Sequence, residues 1–142
     1  MAKVEWKPGT FLYPLPAVMV SCGNIMEESN IITVAWTGIA NTNPAMVYIS
    51  IKPERYSYHI IKQTGEFVIN LTNKNLVRAV DWCGVKTGAK VDKFKTMNLT
   101  KQPANHVRCP MIKESPVSVE CRVKDIVKLR KSSYVYCRSF IH

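Results

Sequence analysis

Long apolar runs are missing from this chain. The longest in its 142 residues is Ala45 to Ile49, far short of the roughly 20 residues a membrane-spanning helix needs. Pro8, Gly9, Pro14 and Pro16 interrupt the early apolar stretch, so the first 30 residues have no signal-peptide layout. These absences predict a soluble, cytoplasmic protein with no membrane partner. Glycine is sparse, at six residues, and no Gly-x-Gly-x-x-Gly follows a predicted strand. A separate dinucleotide-binding domain is therefore not expected. No internal repeat or low-complexity linker divides the chain, and its length suits one domain with a real core. A hydrophobic content of 46% excludes a disordered chain.

Paired cysteines are absent too. Cys22, Cys83, Cys109, Cys121 and Cys137 are scattered, with no Cys-x-x-Cys spacing. His59, His106 and His142 complete no ligand pattern with them, so no metal site is expected. The set reads as free thiols in a reducing compartment. Cys83, in Trp82-Cys83-Gly84, is the one candidate for a surface redox thiol. No nucleophile, histidine and acid stand out as a set, so no catalytic residue is assigned.

Acidic residues are scarce beside basic ones. There are 20 Lys and Arg against 10 Asp and Glu, a formal charge of +10. That balance fits phosphate binding, either along a nucleic acid or on a small anionic ligand such as a nucleotide cofactor. The last 13 residues add Arg130, Lys131 and Arg138 and no acid; without them the charge is 17 − 10 = +7.

Short strands and turns dominate the pattern. Ala17 to Cys22, ending at Gly23-Asn24, and the β-branched run Asn30 to Trp36 read as strands. Met46 to Ile51 is another, closed by Pro53, which cannot donate to a ladder. Ser57 to Thr64 has helical spacing, with Tyr58 and Ile61 on one side and Gly65 as its stop. Glu66 to Leu71 reads as a strand. Asn75 to Trp82 reads as a helix with the stripe Leu76, Ala79 and Val80. Residues 83–93 read as a lysine-bearing loop, and Val91 to Phe94 opens a further short helix. Ser115 to Val123 alternates and reads as a half-buried strand. The expected fold is mainly β with short helices, a small barrel with helical insertions.

Within this frame Lys52, Arg55 and Ser57 place cations, a hydroxyl and a helix start in one short stretch. Those are the groups a phosphate dianion needs. A solvated charged turn, with Ser57 as the helix cap, is the alternative.

Several segments together carry a family resemblance. They are Asn30-Ile-Ile-Thr-Val-Ala-Trp-Thr37, Asn43-Pro-Ala-Met-Val-Tyr-Ile-Ser-Ile-Lys-Pro-Glu-Arg-Tyr-Ser-Tyr58 and Thr64-Gly-Glu-Phe-Val-Ile-Asn70, followed by Trp82-Cys-Gly-Val-Lys-Thr-Gly88, Val91-Asp-Lys-Phe94 and Glu114-Ser-Pro-Val117. The chain resembles the flavin reductase-like family with the FMN-binding split barrel, above all its flavoredoxin branch. The resemblance runs from about Pro14 to Lys128. It implies a split β-barrel that binds FMN, works with NADH or NADPH or with an electron donor or acceptor protein, and forms a homodimer.

The resemblance also implies which residues hold the cofactor. Thr33, Ala35, Trp36 and Thr37 would run along the flavin ring. Lys52, Arg55 and Ser57 would gather at the phosphate, flanked by Tyr56 and Tyr58, of which one contacts ligand while the other packs inward; Ser50 is a further candidate for cofactor binding. Asn30 would bind the ribityl chain or cap a turn, and the 83–93 loop, which contains Lys86, Lys90 and Lys93, would approach the flavin near a dimer partner; Lys86 and Lys90 are its candidate cofactor residues. In this family hydride passes from a nicotinamide to the flavin, and the chemistry belongs to the cofactor.

The tail departs from the resemblance. The family-like domain is expected over 1–129, incomplete at its C-terminal end, with 130–142 a non-family tail. In one choice of synonymous codons for that tail, dropping the first base yields GSHHMFIAEVSF, which resembles the family continuation. A frameshift just before Arg130 is the reading this suggests. A barrel lacking a closing strand would expose an edge, although Tyr134 to Cys137 has β propensity and could stand in for part of it.

Two other functions are weighed. One is a flavin-binding electron carrier that does not oxidise NAD(P)H. The other is a small basic barrel binding single-stranded nucleic acid through Tyr48, Lys52, Arg55, Tyr56 and Tyr58. No RNP-like motif supports the latter, so nucleic acid is not the expected partner.

Overall fold

The computed structural model describes residues 1–131 and the backbone of 133–141. Among the described residues nine strands and three helices follow one another in chain order. They are β1 Val18–Gly23, β2 Ser29–Val34, β3 Thr37–Asn41, β4 Met46–Ile51, α1 Tyr56–Thr64, β5 Glu66–Asn70, α2 Val77–Val85, α3 Lys93–Thr96, β6 Lys101–Gln102, β7 Met111–Ile112, β8 Ser118–Lys128 and β9 Ser133–Ile141. A single 3-10 turn, Lys74–Leu76, leads into α2.

Seven strands form one antiparallel sheet in the order β2-β1-β5-β8-β9-β4-β3. Its two outermost strands, β2 and β3, are joined by Ala35 and Trp36 alone. Two residues span only about 7 Å, so the two edges meet and the sheet must roll into a barrel. The Ser50 amide donates to the Trp36 carbonyl at 2.8 Å, carrying the β4 ladder into that corner.

This corner corrects one expectation. Asn30 to Trp36 reads as a single strand, yet the chain leaves β2 at Val34 and re-enters the sheet at Thr37 on its other edge. β propensity cannot see a corner, because closure depends on the whole barrel. The alternating strand lies later than Ser115 to Val123 and runs on to Lys128. The 83–93 segment is helical through Val85 before it becomes a loop. Residues 133–141 form β9, which pairs with β8 on one side and β4 on the other.

Two cores flank β1, and its alternation explains both. Val18, Val20 and Cys22 face the barrel interior with Ile32, Val34, Ile49, Ile51, Phe67 and Ile69. Helix α1 closes one end of that interior with Tyr58, Ile60 and Ile61. Met19 and Ile31, on the opposite faces of β1 and β2, pack outside against Leu76, Ala79 and Cys83 of the α2 region, and against Phe94 and Leu99. A strand covered on both sides is nearly continuous in apolar residues; all six residues of β1 are buried, Ser21 with its hydroxyl donating to the Pro110 carbonyl at 2.6 Å. Gly65 ends α1 in the left-handed region at φ 70°, as its position after the helical pattern predicts.

Among the described residues no helix is long and apolar enough to cross a membrane. No group of three or more His, Cys, Asp or Glu gathers there into a possible metal site.

Candidate functional site

Asn30 shares strand parity with Ile32, so it faces the end of the barrel that α1 closes. Its side-chain amide donates to the Ser57 hydroxyl at 2.8 Å. Both residues are buried, Asn30 at 3% and Ser57 at 0% exposure. This bond fixes the first turn of α1 against β2. Arg55 is the N-cap of α1 and no side chain caps the helix, which leaves its opening N–H groups available to an anion. Ser57 is thus not the cap; it sits one residue inside the helix, with its hydroxyl turned to Asn30.

A cavity of about 280 Å³ opens here. It is lined by Asn30 and Ile32 of β2, by Lys52 to Ser57 of the turn into α1 apart from Pro53, by Cys83 to Val85 of α2, by Lys86 to Gly88 and by Lys93. Four cations, Lys52, Arg55, Lys86 and Lys93, face one carboxylate, Glu54. Glycine lets the loop come this close. A Cβ on Gly88 would lie 2.1 Å from Asn30 Oδ1, and one on Gly84 would lie 3.3 Å from the Thr33 Cβ.

Lys93, named from the sequence only as the third lysine of the 83–93 loop, also lines the cavity. It is 4% exposed, and its ammonium donates to the carbonyls of Ile31 at 2.7 Å and Cys83 at 2.8 Å. Burial lowers its pKa below the ordinary 10.5. A lysine inside an apolar helix pattern carries no sequence mark of burial; only its neighbours Asp92 as cap and Phe94 in the core place it.

Six of the thirteen candidate cofactor residues meet in this cavity: Asn30, Lys52, Arg55, Tyr56, Ser57 and Lys86. Tyr56 lines it, whereas Tyr58 is buried in the barrel core, which settles which tyrosine packs inward. Thr33 turns to the other side of β2 and its hydroxyl donates to the Val80 carbonyl. Trp36 and Thr37 line a separate, more apolar hollow with Phe11, Leu12, Leu15 and Tyr48. Trp36 is 48% exposed, and the Thr37 hydroxyl donates to the Tyr48 carbonyl at 2.8 Å. Ala35 lies in the corner between β2 and β3. Ser50 is half-buried on β4. Lys90 lines a neighbouring hollow that shares Gly88 with the main cavity.

Cys83 is wholly buried, and burial raises its pKa. A surface redox thiol needs exposure and a lowered pKa, so that expectation is overturned. Of the aromatic and basic set considered for nucleic acid, Tyr58 is in the core and Tyr48 lines the other hollow. They do not share one face with Lys52, Arg55 and Tyr56.

A rolled antiparallel sheet with an anion-ready cavity at its helix-plugged end defines a small barrel class rather than a dinucleotide-binding α/β fold. The family model for the flavin reductase like domain matches residues 10–139, and the chain belongs to that family. An uncharacterized protein of Pyrococcus abyssi is 34% identical over 114 residues, covering 80% of this chain and 64% of that protein. The chain therefore spans a little under two thirds of that relative's length. The solved flavoredoxin of Desulfovibrio vulgaris (Miyazaki F) superposes with a TM-score of 0.92 at 26% identity, covering 99% of this chain and 76% of that one. Flavoredoxin from Methanosarcina acetivorans superposes with a TM-score of 0.86 at 24% identity, covering 99% and 75%. The fold is the split barrel of flavin reductase-like proteins, mainly β with a few short helices.

Proposed function

We propose that this chain holds FMN and passes electrons through it, as a flavin reductase or a flavoredoxin-like protein. The observation that carries this reading is the buried Asn30–Ser57 pair beneath a cationic cavity at an uncapped helix start. The donor set fits a phosphate monoester: charged side chains, a hydroxyl and free backbone N–H groups. Lys52, Arg55, Lys86 and the first turn of α1 would hold the phosphate, and Asn30 would meet the ribityl chain. The cavity is at the small end for a ligand pocket, which suits the polar end of a flavin with its ring lying outside, along the Thr33–Thr37 run. Bound FMN would supply hydride or electron transfer. The protein's part is to anchor the phosphate, orient the ring and hold the loop in place. NADH or NADPH is the proposed donor, and the cytoplasm the proposed location.

An absorbance scan after adding FMN and desalting tests the binding. Retained flavin bands are expected; a colourless protein would overturn the reading. Steady oxidation of NADH or NADPH then identifies a reductase. Flavin retention with neither nicotinamide consumed identifies an electron carrier fed by a protein donor.

The proposed assembly is a homodimer. Phe11, Leu12 and Trp36 are exposed apolar residues that line one hollow, and Trp6 packs its ring edge-on against Phe11; exposed apolar surface of this kind is what a partner subunit would cover. Light scattering on the FMN-loaded protein should return twice 16.1 kDa; a single-chain mass rejects the dimer.

The boundary at Leu129 also stands as a proposal. The family match reaches residue 139, and β9 occupies a place inside the sheet. Reading the coding DNA across Leu129 and Arg130 decides it. A second frame that continues with GSHHMFIAEVSF supports a frameshift; a frame without it removes the idea.

A further inference from the structure

A second hollow, of about 320 Å³, shares no lining residue with the cavity. Pro53, Tyr58 and Lys62 line it from the turn into α1 and from α1 itself, and Lys128 and Leu129 line it from the end of β8. Lys128 has the strand parity of Ile126, which packs against the barrel core, and lies two residues nearer the strand end. The floor is apolar, made by Pro53, the buried Tyr58 and Leu129, which is 47% exposed. The rim is cationic. Lys62, in the last turn of α1, and Lys128 are both exposed, and exposed Arg130 and Lys131 follow Leu129 directly. No carboxylate lines the hollow. Among the described residues, none of these four cations forms an ion pair.

Like charges around one apolar floor repel one another, and a partner carrying carboxylates turns that repulsion into attraction. An acidic segment with one apolar side chain matches both parts, the rim by charge and the floor by burial. A nucleic acid matches less well, because the aromatic residue here, Tyr58, is buried and offers bases no stacking face. We propose that this corner of the barrel docks an acidic protein segment, its carboxylates on Lys62, Lys128, Arg130 and Lys131 and its apolar side chain over Leu129. Lys62 lies about 9 Å of helix rise beyond Tyr56, which lines the cavity, so the partner sits close to the proposed flavin site. Its role as the protein that exchanges electrons with the flavin rests on the FMN reading; the docking surface does not.

Fluorescence anisotropy of a dye-labelled peptide, glutamates around a central leucine, tests the surface on the whole chain. One control peptide has glutamines for the glutamates, and another has glycine for the leucine. At low salt the acidic leucine peptide should bind and the glutamine peptide should not. Binding should weaken steeply as salt shortens the Debye length. Lys62→Glu and Lys128→Glu should each cost roughly tenfold in affinity. Lys113→Glu makes the same change of charge at an exposed site just past β7, and should cost less than about twofold. Leu129→Ser should remove the advantage of the leucine peptide over the glycine peptide. Saturating FMN should leave the peptide bound, since hollow and cavity have separate linings.

Equal losses in Lys62→Glu and Lys113→Glu would reduce the effect to net charge and overturn the proposal. Competitive displacement of the peptide by FMN overturns it as well, because that places the peptide in the cavity. So does tighter binding of an oligothymidylate of the same charge, lost in the same variants, and so does failure of the wild-type protein to bind the acidic peptide. A protein that binds the peptide but retains no FMN keeps the docking surface and overturns the flavin reading instead.

Discussion

The amide of Asn30, on β2, donates to the hydroxyl of Ser57, in the first turn of α1, across 2.8 Å. The two residues are 27 apart in sequence, and their bond joins the strand that begins the barrel to the helix that plugs it. It also sets the floor of the cationic cavity. A polar pair this deeply buried is costly to break singly, because the remaining partner keeps its desolvation penalty.

Asn30→Ala should therefore destabilise the fold by about 1–3 kcal/mol, the penalty for a buried group left unpaired. FMN affinity should fall with it by an order of magnitude, since the helix start loses its fixed position. Thermal melting and fluorescence titration of FMN read the two effects. A variant that melts like wild type and binds FMN as tightly would show that the pair does not organise the site.

Gly88 and Gly84 make a graded test of the loop. Gly88→Ala drives a methyl into the Asn30 side-chain amide, so either the loop or the Asn30 amide, with its bond to Ser57, must shift. Gly84→Ala meets the Thr33 Cβ at 3.3 Å and needs only a small adjustment. FMN affinity should drop at least tenfold in the first and less than threefold in the second, about 1.4 kcal/mol corresponding to the former. Equal titration curves for both variants would contradict a loop held by contact with Asn30.

The thiols should be silent in the folded protein. Burial is the main cause raising Cys22, to about 11, against opposing hydrogen bonds from Ser57 and Asn30 and the charge of Lys93. Burial likewise raises Cys83 and Cys109. Cys22, Cys83 and Cys109, with raised pKa values and no exposure, and Cys121, buried as well, should react with an aromatic disulfide reagent only as fast as the protein opens. Mass mapping of labelled peptides, with and without urea, checks this. Rapid native labelling of Cys83 would restore it as a redox candidate.

Lys93 should give pH dependences of opposite sign in two measurements. Burial lowers its pKa first of all; the charge that Cys83 and Cys22 would carry as thiolates pulls the other way, and Arg55 adds to the lowering. Between the folded value and the ordinary 10.5 the unfolded chain binds more protons, so raising pH through that window stabilises the FMN-free fold. The proposed phosphate cavity, which Lys93 lines, loses one positive charge across the same window, so FMN affinity should fall there. Melting curves and FMN titrations from neutral pH to 10.5, with Lys93→Gln as control, separate the two. Parallel trends, or the same trends in Lys93→Gln, would show that another group titrates.

Most of the elements were legible because each has a local cause. β-branched runs closed by Pro53 or Gly23 became strands, and Tyr58 and Ile61 at helical spacing with Gly65 behind them became α1. The cluster Lys52, Arg55 and Ser57 was legible as an anion site because the turn, the cations and the helix start are contiguous. What the sequence alone determined was this local chemistry and the alternating apolar faces that require a two-sided β1.

Only the tertiary structure decided the rest. The bend at Ala35-Trp36 exists because a sheet closing on itself must join its edges. The Asn30–Ser57 bond needs strand and helix brought together across 27 positions. Lys93 reads as one more loop lysine until α3 folds back under β2 and buries its ammonium against two backbone carbonyls. Burial, unlike helix or strand propensity, is a property of what the rest of the chain places around a residue, and it is burial that sets the charge of this cavity.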